Sequence, residues 1–140
     1  MSQITCKRVH YEGDREMFVV VVGDLKRSEL VIQNLKHNNH CVAFIDVDRH
    51  KDVTESCLKE NRIQLAKLFI ALTDDDHVNL YLCKLAKKAY KVDKTIALAN
   101  YPDNIEIMKK QNIDSVICPN LFIKDSIEEI FIKEEGQCVS

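Results

Sequence analysis

Residues 68–89 read LFIALTDDDHVNLYLCKLAKKA, and this stretch decides the class of fold. Its first five residues are continuously apolar, which is typical of a strand covered on both faces in a parallel sheet. An acidic turn follows, in which Thr73 is predicted to cap a helix whose first turn contains Asp74–Asp76. The helix itself is indicated by a stripe of apolar residues at helical spacing, which comprises Val78, Leu82, Leu85, Ala86 and Ala89.

The same succession of apolar run and helical segment recurs on both sides of this stretch. Successive runs begin about 20 to 27 residues apart, which leaves room for one crossover helix each time. We therefore predict an α/β fold, a Rossmann-like doubly wound parallel sheet of about five strands between two helical layers. The predicted strands are Met17–Val22, Cys41–Ile45, Leu68–Leu72, Thr95–Ala99 and Ser115–Cys118. Helices are predicted from Val31, Ile32 and Leu35, from residues 54–61, and after Pro102 and Asp103.

The chain is long enough for one such domain, at 140 residues. We expect an N-terminal extension over 1–16, the Rossmann-like domain over 17–120, and a C-terminal helix and tail over 121–140. Pro119 is expected to break the chain. The apolar residues of the tail would then cover an edge of the domain or await another subunit, and they are Ile123, Ile127, Ile130 and Phe131.

Composition excludes several function classes. The net charge of -2 gives no electrostatic reason to expect nucleic acid. No apolar run approaches the roughly 20 residues of a membrane span, so we expect a cytoplasmic protein without direct membrane insertion. Any peripheral association with a membrane would then run through a partner. Lys84, Lys87 and Lys88 recur at helical spacing and are predicted to form a solvated helix face.

The six cysteines indicate no disulfide framework or metal site. None forms a CxxC pair, and Cys41, Cys83 and Cys118 lie within apolar segments, as expected of reduced thiols that pack as small hydrophobic groups. His37 and His40 beside Cys41 resemble metal ligands, but a helix end that runs into a strand would direct their side chains apart.

Ligands of an open parallel sheet bind beyond the carboxyl ends of its strands. The first such turn extends from Gly23 to Ser28, and a dinucleotide fingerprint needs glycines there so that the backbone can approach a pyrophosphate. Gly23 supplies the first glycine, whereas Leu25 and Ser28 occupy the positions of the other two. The cationic side chains of Lys26 and Arg27 could meet phosphate charge directly instead.

The next strands end in further candidate side chains. Asp46 follows the glycine turn by about 20 residues, which is the spacing of the acidic residue that binds ribose hydroxyls. Asp48 follows in the same turn, and Thr73–Asp76 follow the third strand. No nucleophile elbow and no histidine or cysteine with an obvious base stands at a strand end, so we expect no enzyme activity.

Three segments together resemble the RCK domain, also called the KTN or TrkA N-terminal domain. The first joins FVVVVG at Phe18–Gly23 with FIDVD at Phe44–Asp48, and the second, most specific one is LFIALTDDDHVNL at Leu68–Leu80. The third joins ALANYP at Ala97–Pro102 with QNIDSVICP at Gln111–Pro119. The resemblance extends over about residues 17–122.

This resemblance implies a regulatory, nucleotide-sensing domain of a potassium channel or potassium uptake system. The family binds NAD(H) or an adenine nucleotide and forms dimers or larger rings that act on a membrane subunit. It further implies that Asp24, Leu25, Lys26, Arg27 and Ser28 would face the phosphates together with Gly23, that Asp46 would face the ribose, and that Thr73, Asp74 and Asn79 would line the cleft. Family members usually carry a further helix and strand after the equivalent of Asp46, and without them the sheet would keep five strands.

Three other interpretations remain. A degenerate scaffold of the same fold that only forms dimers would also explain the damaged glycine turn and the apolar C-terminal segment. A receiver domain shares the strand order 2-1-3-4-5 expected of the shortened sheet, but it needs paired acids after strand one and a lysine after strand five, and Cys118–Pro119 supplies no lysine. An oxidoreductase would need an intact pyrophosphate turn and a substrate domain.

Overall fold

The computed structural model describes residues 16–50 and 52–139, so the expected N-terminal extension lies almost wholly outside the described residues. Within them, strands and helices alternate from β1 to α5. The strands are β1 Phe18–Gly23, β2 Cys41–Asp46, β3 Leu68–Leu72, β4 Lys94–Leu98 and β5 Ser115–Ile117. The helices are α1 Leu25–His37, α2 Glu55–Glu60, α3 Asp76–Lys88, α4 Ile105–Lys110 and α5 Pro119–Val139, with short 3-10 turns at Ile63–Leu65 and Pro102–Asn104.

All strand pairs are parallel, in the order β2-β1-β3-β4-β5. The expected five-stranded, doubly wound sheet is therefore confirmed. Gly23 at the end of β1 lies opposite both Asp46 of β2 and Leu72 of β3. Three strands thus end level with one another, which brings their following turns together at one edge of the sheet.

The central strand explains why the apolar runs lack polar alternation. Val19 and Val21 contribute to the core beneath α1, whereas Val20 and Val22 contribute to the core beneath α2, α3 and α4. All four side chains are fully buried. Because successive strand residues point to opposite faces, a sheet covered on both sides needs apolar residues at every position.

The C-terminal part differs from the sequence expectation. Pro119 does not break the chain but opens α5 directly after the last strand, since a proline in the first helical turn needs no backbone N–H partner. Pro102, the other proline, likewise opens the 3-10 turn that precedes α4. Ile123 and Ile127 are exposed, so of the two arrangements expected for the tail, their exposure favours an apolar face open to another subunit over one that covers an edge of its own domain.

The cysteines do not all pack as small hydrophobic groups. Cys83 is fully buried, and burial raises the pKa of its thiol to about 12, with a smaller contribution from the nearby charge of Asp114. Cys57 is buried too, and Cys118 is half-buried. Cys41, however, is exposed at the start of β2, because β2 is an edge strand. The prediction is therefore wrong for this residue.

Candidate ligand cleft

The turn between β3 and α3 is capped by Asp75 and not by Thr73. The Asp75 carboxylate accepts hydrogen bonds from the backbone N–H groups of His77 at 2.9 Å and Val78 at 3.3 Å. The helix accordingly begins at Asp76, two residues later than the sequence pattern indicates. The predicted cap is wrong because the hydroxyl of Thr73 is directed elsewhere, toward Asn79 and the Asp75 carbonyl.

The side chain of Asn79 fastens two strand ends together. Its amide nitrogen donates to the carbonyl of Thr73 at 3.0 Å and to that of Leu98 at 2.8 Å. Its amide oxygen accepts from the backbone N–H of Thr73 at 3.0 Å and from the Thr73 hydroxyl at 2.6 Å. Asn79 is fully buried, so its polar atoms are occupied within the protein.

Asp76 organises the next turn in a similar way. Its carboxylate accepts from the backbone N–H of Asn100 at 2.7 Å and of Tyr101 at 3.1 Å, and from the side-chain amides of Asn100 at 2.8 Å and Asn104 at 2.7 Å. Burial by itself raises the pKa of this carboxyl, but the hydrogen bonds outweigh it and lower the pKa below its ordinary value. Asp76 therefore holds the β4–α4 turn against α3 and does more than favour a helix start.

The turn between β1 and α1 is tightly packed at both ends. A Cβ atom on Gly23 would lie 2.7 Å from the Ser28 hydroxyl and 3.0 Å from the Leu72 carbonyl oxygen, so a larger residue does not fit without displacement. Ser28 is fully buried, as its small size allows. The first and third positions of the glycine fingerprint thus keep their packing role.

The residues between Gly23 and Ser28 differ from those of a pyrophosphate site, because they place a carboxylate at the start of α1. Asp24 caps α1, and its carboxylate accepts from the backbone N–H of Arg27 at 2.7 Å. A negative charge therefore already lies where a helix N-terminus would otherwise attract a phosphate. Leu25 and Lys26 are exposed, and a guanidinium nitrogen of Arg27 donates to the Leu72 carbonyl at 3.4 Å, toward the end of β3.

Asp46 retains an accepting group for a ligand. One of its carboxylate oxygens accepts from the backbone N–H of Asp48 at 3.0 Å, which shapes the turn after β2. The Asp46 side chain is half-buried, and Asp48 is exposed. The second carboxylate oxygen of Asp46 remains a candidate acceptor for a hydroxyl group.

A cavity of about 310 Å³ lies between the turns after β2 and β3. Its size is at the lower end of the range of small-molecule sites, about 300 to 1,000 Å³. Val47, Val53 and Val78 supply apolar walls, and Tyr81 and Leu82 complete them. The polar lining comprises Thr73 with the three carboxyl groups of Asp52, Asp74 and Asp75.

The structure thus brings together some of the expected site residues and separates others. Thr73 and Asp74 line the cavity, whereas Asn79 lies buried beneath it. The sequence analysis did not identify three residues of the cavity wall, which are Asp52, Val53 and Tyr81. Tyr81 lies on a helix and the other two lie in a loop, and no local pattern indicates that these segments meet. Asn100 falls within the ALANYP stretch of the family resemblance, but its pairing with Asp76 across 24 positions is a tertiary contact that the sequence does not indicate.

Two further observations concern the side chains and helices that the structure describes. No group of three or more His, Cys, Asp or Glu side chains among them is placed to hold a metal ion. Over the same residues, no helix combines the length and apolar character needed to cross a membrane.

A doubly wound parallel sheet with a cavity beyond the ends of adjacent strands defines a Rossmann-like domain. Residues 50–119 match the family model of the TrkA-N domain, and the chain belongs to that family. The Trk system potassium uptake protein TrkA homolog of Methanothermobacter thermautotrophicus is 36% identical over 76 residues. That match covers 54% of this chain but only 35% of the relative, so the chain spans about a third of the relative's length.

Solved structures show the same fold at low identity. The TrkA-N domain of the inner membrane protein ybaL from Escherichia coli superposes with a TM-score of 0.71 at 15% identity, covering 84% of this chain and 98% of that one. The structure of GsuK bound to ADP gives a TM-score of 0.72 at 16% identity, covering 94% of this chain and 38% of the other. The predicted fold and family are thus confirmed together.

Proposed function

We propose that this chain is a regulatory domain of a potassium channel or potassium uptake system, without enzyme activity of its own. The proposal rests on membership of the TrkA-N family and on the potassium uptake protein among its relatives. A membrane subunit would be its partner, and its place would be the cytoplasmic side of that membrane.

Within this role, the cleft binds the adenosine part of an adenine nucleotide. The observation that carries this proposal is the 310 Å³ cavity with apolar walls, one of which is Val47, the residue that follows Asp46 in the chain. Valine and tyrosine side chains suit the faces of an adenine ring. The carboxylates of Asp52 and Asp74 accept hydrogen bonds from amino and hydroxyl groups, and they repel phosphate. The GsuK structure contains ADP, which supports an adenine ligand. Since NAD(H) also contains adenosine, this observation does not distinguish between the two ligands.

The phosphates are bound less tightly than in a domain with an intact glycine turn. The Asp24 carboxylate occupies the N–H of Arg27, and Leu25 stands at the second glycine position. Lys26 and the Arg27 guanidinium remain as side-chain contacts. The chain therefore discriminates little between adenosine, ADP and NAD(H).

Calorimetric titration with adenosine, AMP, ADP, NAD and NADH tests this. We expect micromolar binding with affinities within about tenfold of one another, because a phosphate contact by a mobile side chain adds about 1 kcal/mol. Asp46→Ala should weaken every ligand by about 1.5–3 kcal/mol, the range for a hydrogen bond to a charged group. Asp103→Asn, at an exposed acid of the same sheet edge, serves as the control. Absence of binding by all five ligands would overturn nucleotide sensing.

Leu25→Gly separates the phosphate contacts from the adenosine contacts. Removal of the side chain lets a phosphate approach the backbone, so the affinity for ADP should rise about tenfold while that for adenosine stays the same. Leu30→Gly, at another exposed leucine of α1, controls for the helical cost of glycine. An equal change for both ligands would contradict a phosphate position beside Leu25.

A second candidate function is a scaffold that acts by dimer formation. The observation that favours it is the apolar surface of α5, where large side chains are at least half exposed. These are Phe122, Ile123, Ile127, Ile130, Phe131 and Ile132. Six large apolar side chains exposed on one helix indicate an interaction site.

Light scattering over a range of concentrations tests the scaffold. We expect a dimer for the native chain and a monomer for Ile127→Asp, since the charge would be buried without a partner at the interface. Glu128→Gln, on the next residue, is the control. A native chain that stays monomeric at high micromolar concentration would exclude self-association through α5.

A further inference from the structure

A second, larger cavity lies at the opposite end of the sheet from the ligand cleft. It measures about 510 Å³ and is lined by Lys84, Lys87 and Lys88 of α3, by Lys109 of α4, and by residues 111–114. We call it the basic groove. Lys88 and Lys109 are exposed, whereas Lys84 and Lys87 are partly buried.

Only one carboxylate lines the basic groove, and it is already neutralised. The Asp114 carboxylate accepts from the Lys87 ammonium at 2.7 Å and from the backbone N–H of Thr95 at 2.8 Å. The hydrogen bond from Lys87 is the main reason why the pKa of Asp114 is lowered. Lys87 also donates to the Asp93 carbonyl at 2.6 Å. Among the described residues, Lys84, Lys88 and Lys109 have no ion-pair partner, so the groove keeps three positive charges.

The ends of α3 and α4 do not require these three lysines as caps. The backbone N–H groups of residues 111–113 donate to the last carbonyls of α4, and those of Ala89 and Val92 donate to carbonyls of α3. Cationic side chains near a helix C-terminus gain up to about 1 kcal/mol from the helix dipole, but that gain does not explain their convergence on one cavity.

The surroundings of the basic groove carry the same sign of charge. The segments 36–40, 59–67, 84–94 and 109–114 precede the strands β2 to β5 and therefore share one edge of the sheet. They contain eleven lysine and arginine residues against three acids, Glu60, Asp93 and Asp114. A field of this sign attracts anions toward the edge before any contact forms.

We propose that the basic groove binds phosphate groups, either those of a soluble polyphosphorylated compound or those of anionic phospholipid headgroups. Lysine ammonium groups bind phosphate as point charges, and the side-chain amides of Gln111 and Asn112 add neutral donors. Lys84 and Lys88 are four residues apart on one helix face, so both reach the same ligand. This site is independent of the adenosine cleft and does not rest on the function proposed above.

The test compares two triple variants with the same loss of charge. Lys84→Gln/Lys88→Gln/Lys109→Gln removes the free charges of the groove, and Lys36→Gln/Lys59→Gln/Lys94→Gln removes three exposed charges elsewhere on the same edge. Sodium tripolyphosphate is titrated calorimetrically at constant ionic strength, with sulfate as the reference anion. Vesicles of phosphatidylglycerol mixed with phosphatidylcholine are sedimented with the protein, with pure phosphatidylcholine as the reference.

One of the two probes, tripolyphosphate or the phosphatidylglycerol vesicles, should bind to the native chain. We expect the groove variant to bind that probe at least about tenfold more weakly than the native chain does, and the affinity of the control variant to fall by less than about threefold. If tripolyphosphate binding shows this difference between the variants, the ligand is a soluble phosphate compound. If only vesicle binding shows it, the ligand is a phospholipid headgroup. Either outcome supports the site. An equal loss in both variants, or no binding of either probe by the native chain, overturns it. An unchanged urea unfolding midpoint of the groove variant shows that its fold is intact.

Discussion

The turns after β1 and β3 lie side by side at one edge of the sheet, yet their polar groups serve different purposes. In the β3–α3 turn, Asn79 and Asp76 bond to residues of neighbouring strands and loops. In the β1–α1 turn, the Asp24 side chain bonds only within its own turn, and Leu25 is half exposed. The Asp24 carboxylate therefore acts within its own turn, whereas Asn79 and Asp76 in the β3–α3 turn hold neighbouring strands and loops together.

Replacement of Asn79 should give the largest effect on stability. Asn79→Leu leaves the N–H of Thr73 and the carbonyl of Leu98 without their side-chain partner in a buried site. It also removes one hydrogen bond each from the Thr73 hydroxyl, which keeps the Asp75 carbonyl, and from the Thr73 carbonyl, which keeps the Asn100 amide. We expect the free energy of unfolding to fall by about 3–4 kcal/mol, measured by urea denaturation. Asn120→Leu, which removes an exposed hydrogen bond to Asn100, is the control. A loss below about 1 kcal/mol would remove the contrast between the two turns.

Gly23→Ala should come next, because the packing part of the first turn is still intact. The added methyl group would lie 2.7 Å from the Ser28 hydroxyl and 3.0 Å from the Leu72 carbonyl oxygen. We expect a loss of about 2–3 kcal/mol, the usual cost of overpacking. The double variant with Ser28→Gly should recover part of it in the same unfolding assay. Complete tolerance of Gly23→Ala would show that the turn adjusts.

Asp76→Asn should destabilise the protein in a pH-dependent way. The lowered pKa of Asp76 means that its stabilising effect is complete above the unfolded value, about 3.9, and is lost as the pH falls through the lower folded value. The variant should therefore be less stable than the native chain by about 1–2 kcal/mol at pH 7, with the difference shrinking in acid. Asp103→Asn, at an exposed acid of the same sheet edge, is the control. A pH-independent difference in chemical denaturation would argue against an ionised Asp76.

Ser28→Ala should give the smallest effect, and of the opposite sign. Among the buried side chains described, the Ser28 hydroxyl is the only one without a hydrogen-bond partner. Its removal relieves an unsatisfied group and improves helix propensity, so the free energy of unfolding should rise by about 0.5–1 kcal/mol. Thermal unfolding measures the change, and Ser126→Ala in α5 is a helical reference. A loss of stability would reveal a partner for the hydroxyl, such as an ordered water molecule.

The sequence predicts much of the fold because the signals are local. Continuous apolar runs such as that at Val19–Val22, with helical stripes between them, suffice to indicate a parallel sheet covered on both faces. Residues 54–61 were predicted to form the one helix between β2 and β3, and α2 covers Glu55–Glu60 of that segment. The cap of α3 was placed wrongly by the same local logic, because either Thr73 or Asp75 satisfies the pattern and only the contact with Asn79 decides between them.

The candidate site was predicted only in part. Asp46 and the turn residues 23–28 were predicted from the positions of strand ends and from motif spacing, both of which can be read from the sequence. The cavity wall from Tyr81 and Val53 joins a helix to a loop, and the network around Asp76 joins residues 24 to 28 positions apart. Such contacts depend on how the crossover helices and loops pack against each other. The periodicity of apolar residues in the sequence does not predict this packing.

By itself, the sequence determined the class of fold, the family and the loss of two fingerprint glycines, because each depends on residue type at a local spacing. The tertiary structure decided that Asp24 occupies the helix N-terminus and that the polar atoms of Asn79 are bonded to Thr73 and Leu98. It also decided that Lys84, Lys88 and Lys109 share a cavity with the ion pair of Lys87 and Asp114. The physical reason is that charge and hydrogen bonding act through space, between groups that the chain brings together only when it folds.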